Sequence, residues 1–285
     1  MNAPETRYLD RPDGRLSYDD NDVDGPLVIA APGMGDLRHS YRHVREAMAD
    51  AGIRFVTVDL RGMGESSVDW TQLDDAAVAS DYLALVEALG GGPAVLVGNS
   101  LSAASAVIAA TDAPDSVSGI VLLGPFVRDV PTKWWQKAAF GLMLMPPWGR
   151  RAWVGYYRKS MYPGSPPPDL PAYVDELDAN LREPGRFAMF RRITGSSHAE
   201  SERRLPKVSQ PVTVVMGTAD PDFPDPKAEA QLIADATGAQ LVWSDGSGHY
   251  PQAETPSIVS GAIVDLVRSV SAADESAEAS GSATD

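Results

Sequence analysis

A single serine stands where an apolar run gives way to a run of small residues. Residues 94–97 are aliphatic and typical of a buried strand, and residues 102–106 are small and typical of a closely packed helix. Gly98, Asn99 and Ser100 lie between them. A strand, a sharp turn and a helix with serine at the apex is the setting in which a serine hydroxyl acts as a nucleophile. Ser100 is therefore the candidate nucleophile.

A serine hydroxyl needs a base within hydrogen-bond reach, and that base needs a third group to fix its tautomer. The chain has four histidines: His39, His43, His198 and His249. His249 lies in the glycine-containing segment 246–251, after the last predicted core strand and before the last predicted helix. This position makes it the candidate base, and we interpret the other three as surface or packing histidines.

The third group is expected at a strand end between the serine and the histidine in the chain. Segment 216–222 ends a predicted strand and carries two acids, of which Asp220 emerges first and is the candidate. Asp222 and Asp225 are held in reserve, because acids also suit the entry of a helix. Asp129, after the preceding strand, is a weaker substitute.

Acyl transfer also needs two N–H donors for the oxyanion that forms on the substrate. One donor is expected from the backbone of Leu101, the residue after the candidate nucleophile. The other is expected from Met34, in the loop 32–35 that follows the first buried strand. Glycines in this loop let the backbone approach a substrate closely.

A sheet must position these residues. Two short strands are predicted within 7–18, and continuous apolar runs predict further strands that alternate with helices, a pattern typical of a parallel sheet covered on both faces. These strands are predicted at 27–31, 55–58, 94–97, 119–123, 211–216 and 240–243, and the helices at 41–51, 73–89, 226–236 and 256–270.

Residues 127–206 break this alternation. They are rich in Trp, Tyr, Met, Arg and Pro, and they predict a helical cap with helices near 133–145, 150–157, 172–180 and 184–194. The organisation predicted is a core in two parts, 1–126 and 207–270, with the cap between them and a disordered acidic tail over 271–285. The candidate substrate pocket is lined by Trp134, Trp135, Met143 and Tyr250.

The amino-acid composition argues against several classes of function. The formal net charge is −15, from 24 basic and 39 acidic residues, which argues against nucleic-acid binding. The absence of cysteine excludes disulfides, thiolate metal sites and a cysteine nucleophile. We expect no metal, no cofactor, no membrane span and no secretory signal, and hence a cytoplasmic protein. The oligomeric state stays open.

Five segments, taken in order, resemble the α/β-hydrolase superfamily over residues 7–270. The family motifs fall at 32–35, 59–66, 98–102, 217–220 and 248–249. Two departures stand out, Pro32 where the family usually has histidine and Ser102 where it has glycine. The resemblance implies an α/β-hydrolase fold, a mostly parallel doubly wound sheet with a helical cap insertion. It also implies that Asp59 and Arg61 are structural residues that brace the loop beneath the pocket and take no part in the chemistry.

The predicted function is that of a serine hydrolase acting on an ester or lactone of a hydrophobic small molecule through an acyl-enzyme. Ser100 attacks, His249 moves the proton and Asp220 orients the histidine. Two alternatives stay open, namely a carbon–carbon bond hydrolase of vinylogous diketones and a non-catalytic ligand-binding or signalling relative. Perhydrolysis as a side activity also stays open. Ser100 argues against an epoxide hydrolase, which would carry aspartate there, and Tyr250 argues against a hydroxynitrile lyase.

Overall fold

The fold centres on one sheet of eight strands. The computed structural model describes residues 5–90 and 92–281, with side chains up to residue 273. The strands run in the order β1-β2-β4-β3-β5-β6-β7-β8. They are β1 (Arg7–Arg11), β2 (Gly14–Asp20), β3 (Leu27–Ala31), β4 (Arg54–Val58), β5 (Ala94–Asn99), β6 (Val117–Leu123), β7 (Val212–Gly217) and β8 (Gln240–Ser244).

Strand direction follows the apolar pattern. β1 and β2 form a hairpin, and β2 pairs antiparallel with β4, while every pair from β4 to β8 is parallel. All residues of β3, β5 and β7 are buried, as expected for strands covered on both faces. The carboxyl ends of the parallel strands therefore meet at one edge, where the loops after β3, β5, β7 and β8 lie.

Helices cover both faces of the sheet. They are α1 (Arg45–Asp50), α2 (Asp75–Leu89), α3 (Leu101–Asp112), α4 (Trp134–Met143), α5 (Gly149–Ser160), α6 (Leu170–Arg182), α7 (Arg186–Ile193), α8 (Ala199–Arg204), α9 (Pro226–Thr237), α10 (Pro251–Glu254) and α11 (Pro256–Gly281). Val259 and Ile263 of α11 pack with Val95 and Val121 on one face. Tyr82 of α2 belongs to the core on the other face. This arrangement confirms the predicted mostly parallel, doubly wound α/β-hydrolase fold.

Five helices, α4 to α8, lie between β6 and β7 in the chain. The described part of the chain between those two strands contains no further strand. The insertion has its own apolar packing, because Trp153 of α5 lies against Phe190 of α7 with ring centroids 4.7 Å apart. Tyr157 and Val174 are also fully buried. This segment is the one predicted as a helical cap over 127–206.

Some element bounds differ from the prediction. The single helix predicted at 41–51 is instead a 3-10 turn, Arg38–Tyr41, followed by the shorter α1. α8 and α10 were not predicted. A disordered tail was predicted from residue 271, but the last helix continues to Gly281. Ala and Glu, which are frequent in this stretch of the sequence, favour helix. The remainder of the predicted tail, 282–285, lies outside the described residues.

The last helix has one further property. By length and composition alone, its window Pro256–Ala273 could cross a membrane. Val259 and Ile263, however, are fully buried against the sheet. Packing on the sheet accounts for the apolar character of this helix, since core helices of water-exposed domains have the same composition.

Candidate active site

Ser100 occupies a strained turn between β5 and α3. Its backbone angles are φ 58° and ψ −121°, a conformation that few non-glycine residues adopt. The turn is held by hydrogen bonds from Ser100 N to Leu123 O, 3.0 Å, and from Phe126 N to Ser100 O, 3.2 Å. A Cβ at Gly98 would lie only 2.3 Å from the carbonyl oxygen of Ser102, so only glycine fits there. Strain maintained in this way typically occurs at functional sites.

The structure brings Asp220 and His249 together. Asp220 follows β7 and His249 follows β8, so both lie at the carboxyl edge of the sheet. The distance from His249 Nδ1 to Asp220 Oδ2 is 2.8 Å, and both residues are buried. A Cβ at Gly124 would lie 3.2 Å from that carboxylate oxygen and 3.3 Å from the ring nitrogen. The pair is therefore tightly enclosed and fixes the orientation of the imidazole.

Asn99 connects the serine turn with the histidine loop. Its Nδ2 donates to the carbonyl oxygens of Leu123, 2.9 Å, and of His249, 3.0 Å. Its Oδ1 accepts from Gln252 Nε2 at 3.3 Å. Sequence reasoning did not assign this role, although an amide at the end of a buried apolar strand was a usable signal. The contact places the backbone of His249 beside the residue that precedes Ser100.

The loop that carries the predicted donor Met34 approaches Ser100, because a Cβ at Gly33 would lie 2.9 Å from Ser100 Cβ, and the other predicted donor, Leu101, follows Ser100 directly. Within the described part of the chain, the amides of Met34 and Leu101 donate no hydrogen bond. Ser102 Oγ donates to Pro32 O at 2.5 Å, which joins the start of α3 to the loop 32–35. Ser102, where the resemblance leads one to expect glycine, thus holds that loop in place and is not merely a bulkier packing residue.

Two tyrosines of the cap bind a buried carboxyl group next to the loop 32–35. Asp36 is fully buried and accepts hydrogen bonds from the hydroxyls of Tyr157, 3.0 Å, and Tyr173, 2.5 Å. Burial raises the pKa of Asp36 to about 6, although the tyrosine hydroxyls act to lower it. His249 N also donates to Met161 O, directly after α5, at 3.2 Å. Cap helices therefore brace both the loop after β3 and the histidine loop.

A second carboxylate lies on the other side of the imidazole. His249 Nε2 is 3.7 Å from Asp222 Oδ2, and Tyr156 of the cap donates to Asp222 Oδ1 at 2.7 Å. Burial disfavours the imidazolium ion, but Asp220 and Asp222 outweigh it and raise the pKa of His249 to about 9. Burial raises the pKa of the Asp222 carboxyl group, although the positive charge of His249 acts to lower it.

The ligand atoms of Asp220, Asp222 and His249 all lie within 4.8 Å of one another, a spacing that suits a small cation. However, Asp220 Oδ2 and His249 Nδ1 are already hydrogen-bonded to each other. The arrangement is a hydrogen-bonded Asp220–His249 pair with the Asp222 carboxylate 3.7 Å from the other ring nitrogen.

The predicted pocket residues separate into two groups. Tyr250 is fully buried, with its ring centroid 5.3 Å from that of His249, and Met143 is half-buried. Trp134 and Trp135 do not line the site, because their residues are 80% and 52% exposed on α4. Their assignment to the pocket was wrong: helical spacing identified apolar positions, but in α4 it is Phe140 and Met143 that pack against the core.

The remaining candidate residues make structural contacts. His39 contacts Glu176, His43 contacts Asp169, and the buried His198 contacts Asp75. These contacts agree with the surface or packing interpretation.

Arg61 pairs with both carboxylate oxygens of Asp81, at 2.6 and 2.7 Å. Asp59 accepts from Ser17 Oγ and from Arg38 N, each at 2.8 Å.

Comparison with known proteins identifies the family of the chain. The sequence model of the alpha/beta hydrolase family matches residues 28–262, and the chain belongs to that family. Epoxide hydrolase A of Mycobacterium tuberculosis is 26% identical, in an alignment that covers 94% of this chain and 98% of that protein. The putative non-heme bromoperoxidase BpoC of the same species is 29% identical, over 90% and 99% of the two chains. A thermophilic esterase from Thermogutta terrifontis superimposes with a TM-score of 0.77 at 23% identity, over 93% and 99%.

Proposed function

We propose that the protein is a serine hydrolase that cleaves an ester or lactone of a hydrophobic small molecule. The observation that carries this proposal is the meeting of two features at one sheet edge. Ser100 sits in a turn of positive φ, and Asn99 connects that turn to the loop of His249. The imidazole of His249 is in turn hydrogen-bonded to the buried Asp220 of the loop after β7. A positioned hydroxyl, a base and an orienting acid are the three groups that acyl transfer requires.

The proposed reaction proceeds in two steps. Ser100 Oγ attacks the carbonyl carbon of the substrate while His249 Nε2 takes the hydroxyl proton, and Asp220 stabilises the resulting imidazolium through Nδ1. The amides of Met34 and Leu101 stabilise the oxyanion. The imidazolium then gives its proton to the departing alcohol, leaving an acyl-enzyme. Water, deprotonated by His249, attacks the acyl carbon, and the imidazolium returns that proton to Ser100 Oγ as the acid departs.

The epoxide hydrolase among the relatives bears on this proposal. Opening an epoxide by a covalent route requires a carboxylate nucleophile, and this chain has a serine at the turn. The site therefore supports acyl chemistry although the overall sequence resembles that enzyme. The half-buried Met34 and Met143, with the buried Tyr250, are the apolar groups that favour a hydrophobic substrate.

Active-site labelling tests the proposal. A fluorophosphonate probe should label the wild-type protein and the exposed-serine control Ser197→Ala, but not Ser100→Ala. Nitrophenyl esters of increasing acyl length should be hydrolysed by the first two proteins only. Labelling that persists in Ser100→Ala would contradict the assignment. Cleavage of a dienone with no ester turnover would favour the carbon–carbon hydrolase, and ligand binding without any turnover would favour a non-catalytic protein.

A further inference from the structure

Helix α4 exposes one apolar side to solvent, while Phe140 and Met143 on its other side pack against the core. None of its ten residues is buried, and its two tryptophans are among the most exposed apolar side chains of the described residues. The exposure continues past the end of the helix. The large apolar residues exposed here are Trp134 at 80%, Trp135 at 52%, Leu142 at 58%, Met145 at 44% and Trp148 at 48%.

These side chains form one surface. Trp134, Ala138 and Leu142 are spaced by four residues and so lie along one side of the helix. Trp148 Nε1 donates to Leu142 O at 3.0 Å, which fixes the third tryptophan beside the end of α4. We name Trp134, Trp135, Leu142, Met145 and Trp148 the α4 surface. Helical spacing and the Trp148–Leu142 hydrogen bond bring these exposed residues to one end of the cap.

The charge around the α4 surface is opposite to that of the whole protein. Residues 131–149 contain Lys133 and Lys137 and no acidic residue, in a chain of net charge −15. Among the described residues, neither lysine has an ion-pair partner within 4.0 Å. Asp129, just outside this segment, interacts electrostatically with Lys137 but forms no close ion pair with it. Two cations without a close ion pair, beside an apolar face with three tryptophans, are complementary to a surface that is both apolar and anionic.

We propose that the α4 surface docks the protein on an anionic lipid surface. Tryptophans prefer the boundary between headgroups and acyl chains, and amphipathic helices lie in that boundary with their apolar side inward. Lys133 and Lys137 then meet lipid phosphates. At about 15 Å, a ten-residue helix is too short to cross a bilayer, so the contact is peripheral.

Charge also distinguishes this occupant from a second copy of the chain. Pairing two α4 surfaces would bring together like-charged lysines and two chains of net charge −15 each. An anionic bilayer, in contrast, attracts this segment and repels the rest of the protein, which orients the docked molecule. The proposal is independent of the hydrolase chemistry, because it uses none of the residues assigned to that reaction.

Vesicle sedimentation with the full chain tests the proposal. We expect binding to phosphatidylcholine vesicles that contain phosphatidylglycerol, at least ~10-fold tighter than to phosphatidylcholine alone, and weaker in high salt. Lys133→Gln and Lys137→Gln should each weaken binding roughly fivefold. The double variant Trp134→Ser, Trp135→Ser should weaken it at least ~10-fold. Lys159→Gln and Trp243→Ser are the matched controls and should bind like the wild type.

Folding and self-association are measured alongside. The double tryptophan variant should keep the wild-type circular dichroism spectrum and thermal midpoint, because both side chains are exposed. The proposal is overturned if the wild-type protein binds neither vesicle in low salt, or if the folded double variant binds as well as the wild type. A dimer seen by light scattering without lipid, and lost in the double variant, would assign the α4 surface to a second copy and overturn it too.

Discussion

Nε2 of His249 lies 3.7 Å from Oδ2 of Asp222, on the side of the ring opposite to the nitrogen that Asp220 engages. In the described residues, Ser100 Oγ makes no hydrogen bond to that Nε2. The imidazole therefore lies between two carboxylates. For His249 to act as a base, it must lose the proton that these two groups stabilise.

This arrangement predicts an alkaline pH dependence. Asp220 and Asp222, acting against burial, raise the pKa of His249 to about 9, so the ring is protonated at neutral pH. Because only the neutral imidazole can accept the serine proton, kcat/KM for a nitrophenyl ester should rise with pH and level off above an apparent pKa of about 9. A profile that levels off near the ordinary histidine pKa would contradict this prediction.

Asp222→Asn should move that profile toward lower pH. The change removes one of the two negative charges that favour imidazolium, so the pKa of His249 falls and kcat/KM near neutral pH rises, with little loss at the alkaline plateau. Asp225→Asn is the matched control. Asp225 caps α9 by accepting from Ala228 N, a role that asparagine also fills, so its profile should stay unchanged. Equal profiles for both variants would show that Asp222 does not act on His249.

Asp220→Asn should reduce kcat by ~10⁴-fold, because an amide in this position no longer stabilises the imidazolium and favours the wrong tautomer. The measurement is ester hydrolysis at the alkaline plateau, where the histidine of the wild-type protein is neutral. Circular dichroism confirms that the buried substitution leaves the fold intact. A larger loss in Asp222→Asn than in Asp220→Asn would transfer the orienting role to Asp222.

Much of the site could be predicted because each element of it has a local signal. Ser100, Asp220 and His249 each follow an apolar strand, and parallel strands bring their carboxyl ends to one edge. Asn99 and Ser102 were harder to interpret. Their side chains bind carbonyl groups of Leu123, His249 and Pro32, and contacts so distant in the chain leave no periodic pattern in a single sequence.

In the cap, hydrophobic periodicity does not decide which apolar residues are buried and which are exposed. Residues 134–142 have apolar residues at helical spacing, which establishes that one side of a helix is apolar. It does not establish whether that side meets the core or the solvent. Trp153 and Tyr157 have the same kind of spacing, yet they are buried while Trp134 and Trp135 are exposed. The difference lies in tertiary packing, and so the pocket prediction was wrong for Trp134 and Trp135.

Arg38→Met should destabilise the fold by ~3–5 kcal/mol. Arg38 is buried and pairs with the buried Asp19 and Asp59. Among the described residues Asp59 has no other ion-pair partner, so removal of Arg38 leaves its carboxylate uncompensated inside the protein. Urea unfolding measures the effect. Arg158→Met is the matched control, because Arg158 pairs with Asp175 at the exposed surface, and its removal should cost less than ~1 kcal/mol. Equal losses in the two variants would contradict a structural role for the Arg38 cluster.

Ser102→Ala should lower kcat by ~10-fold with a smaller change in KM. Ser102 Oγ holds the carbonyl oxygen of Pro32 at 2.5 Å, and the loop 32–35 supplies the Met34 amide that we assign to the oxyanion. Without that hydroxyl the donor is less well positioned, and a preorganised donor stabilises the transition state more than the ground state.

Ser105→Ala provides the matched control for that variant. Ser105 is equally buried and lies less than one turn further along α3, but its hydroxyl contacts only Leu101 O of the same helix, at 3.4 Å. Ser105→Ala therefore also removes a buried hydroxyl, but it removes no contact with the loop 32–35. We therefore expect Ser105→Ala to retain nearly wild-type kcat and Ser102→Ala to lose it. If both variants lose activity equally, the effect belongs to the packing of α3 and not to the position of the oxyanion loop.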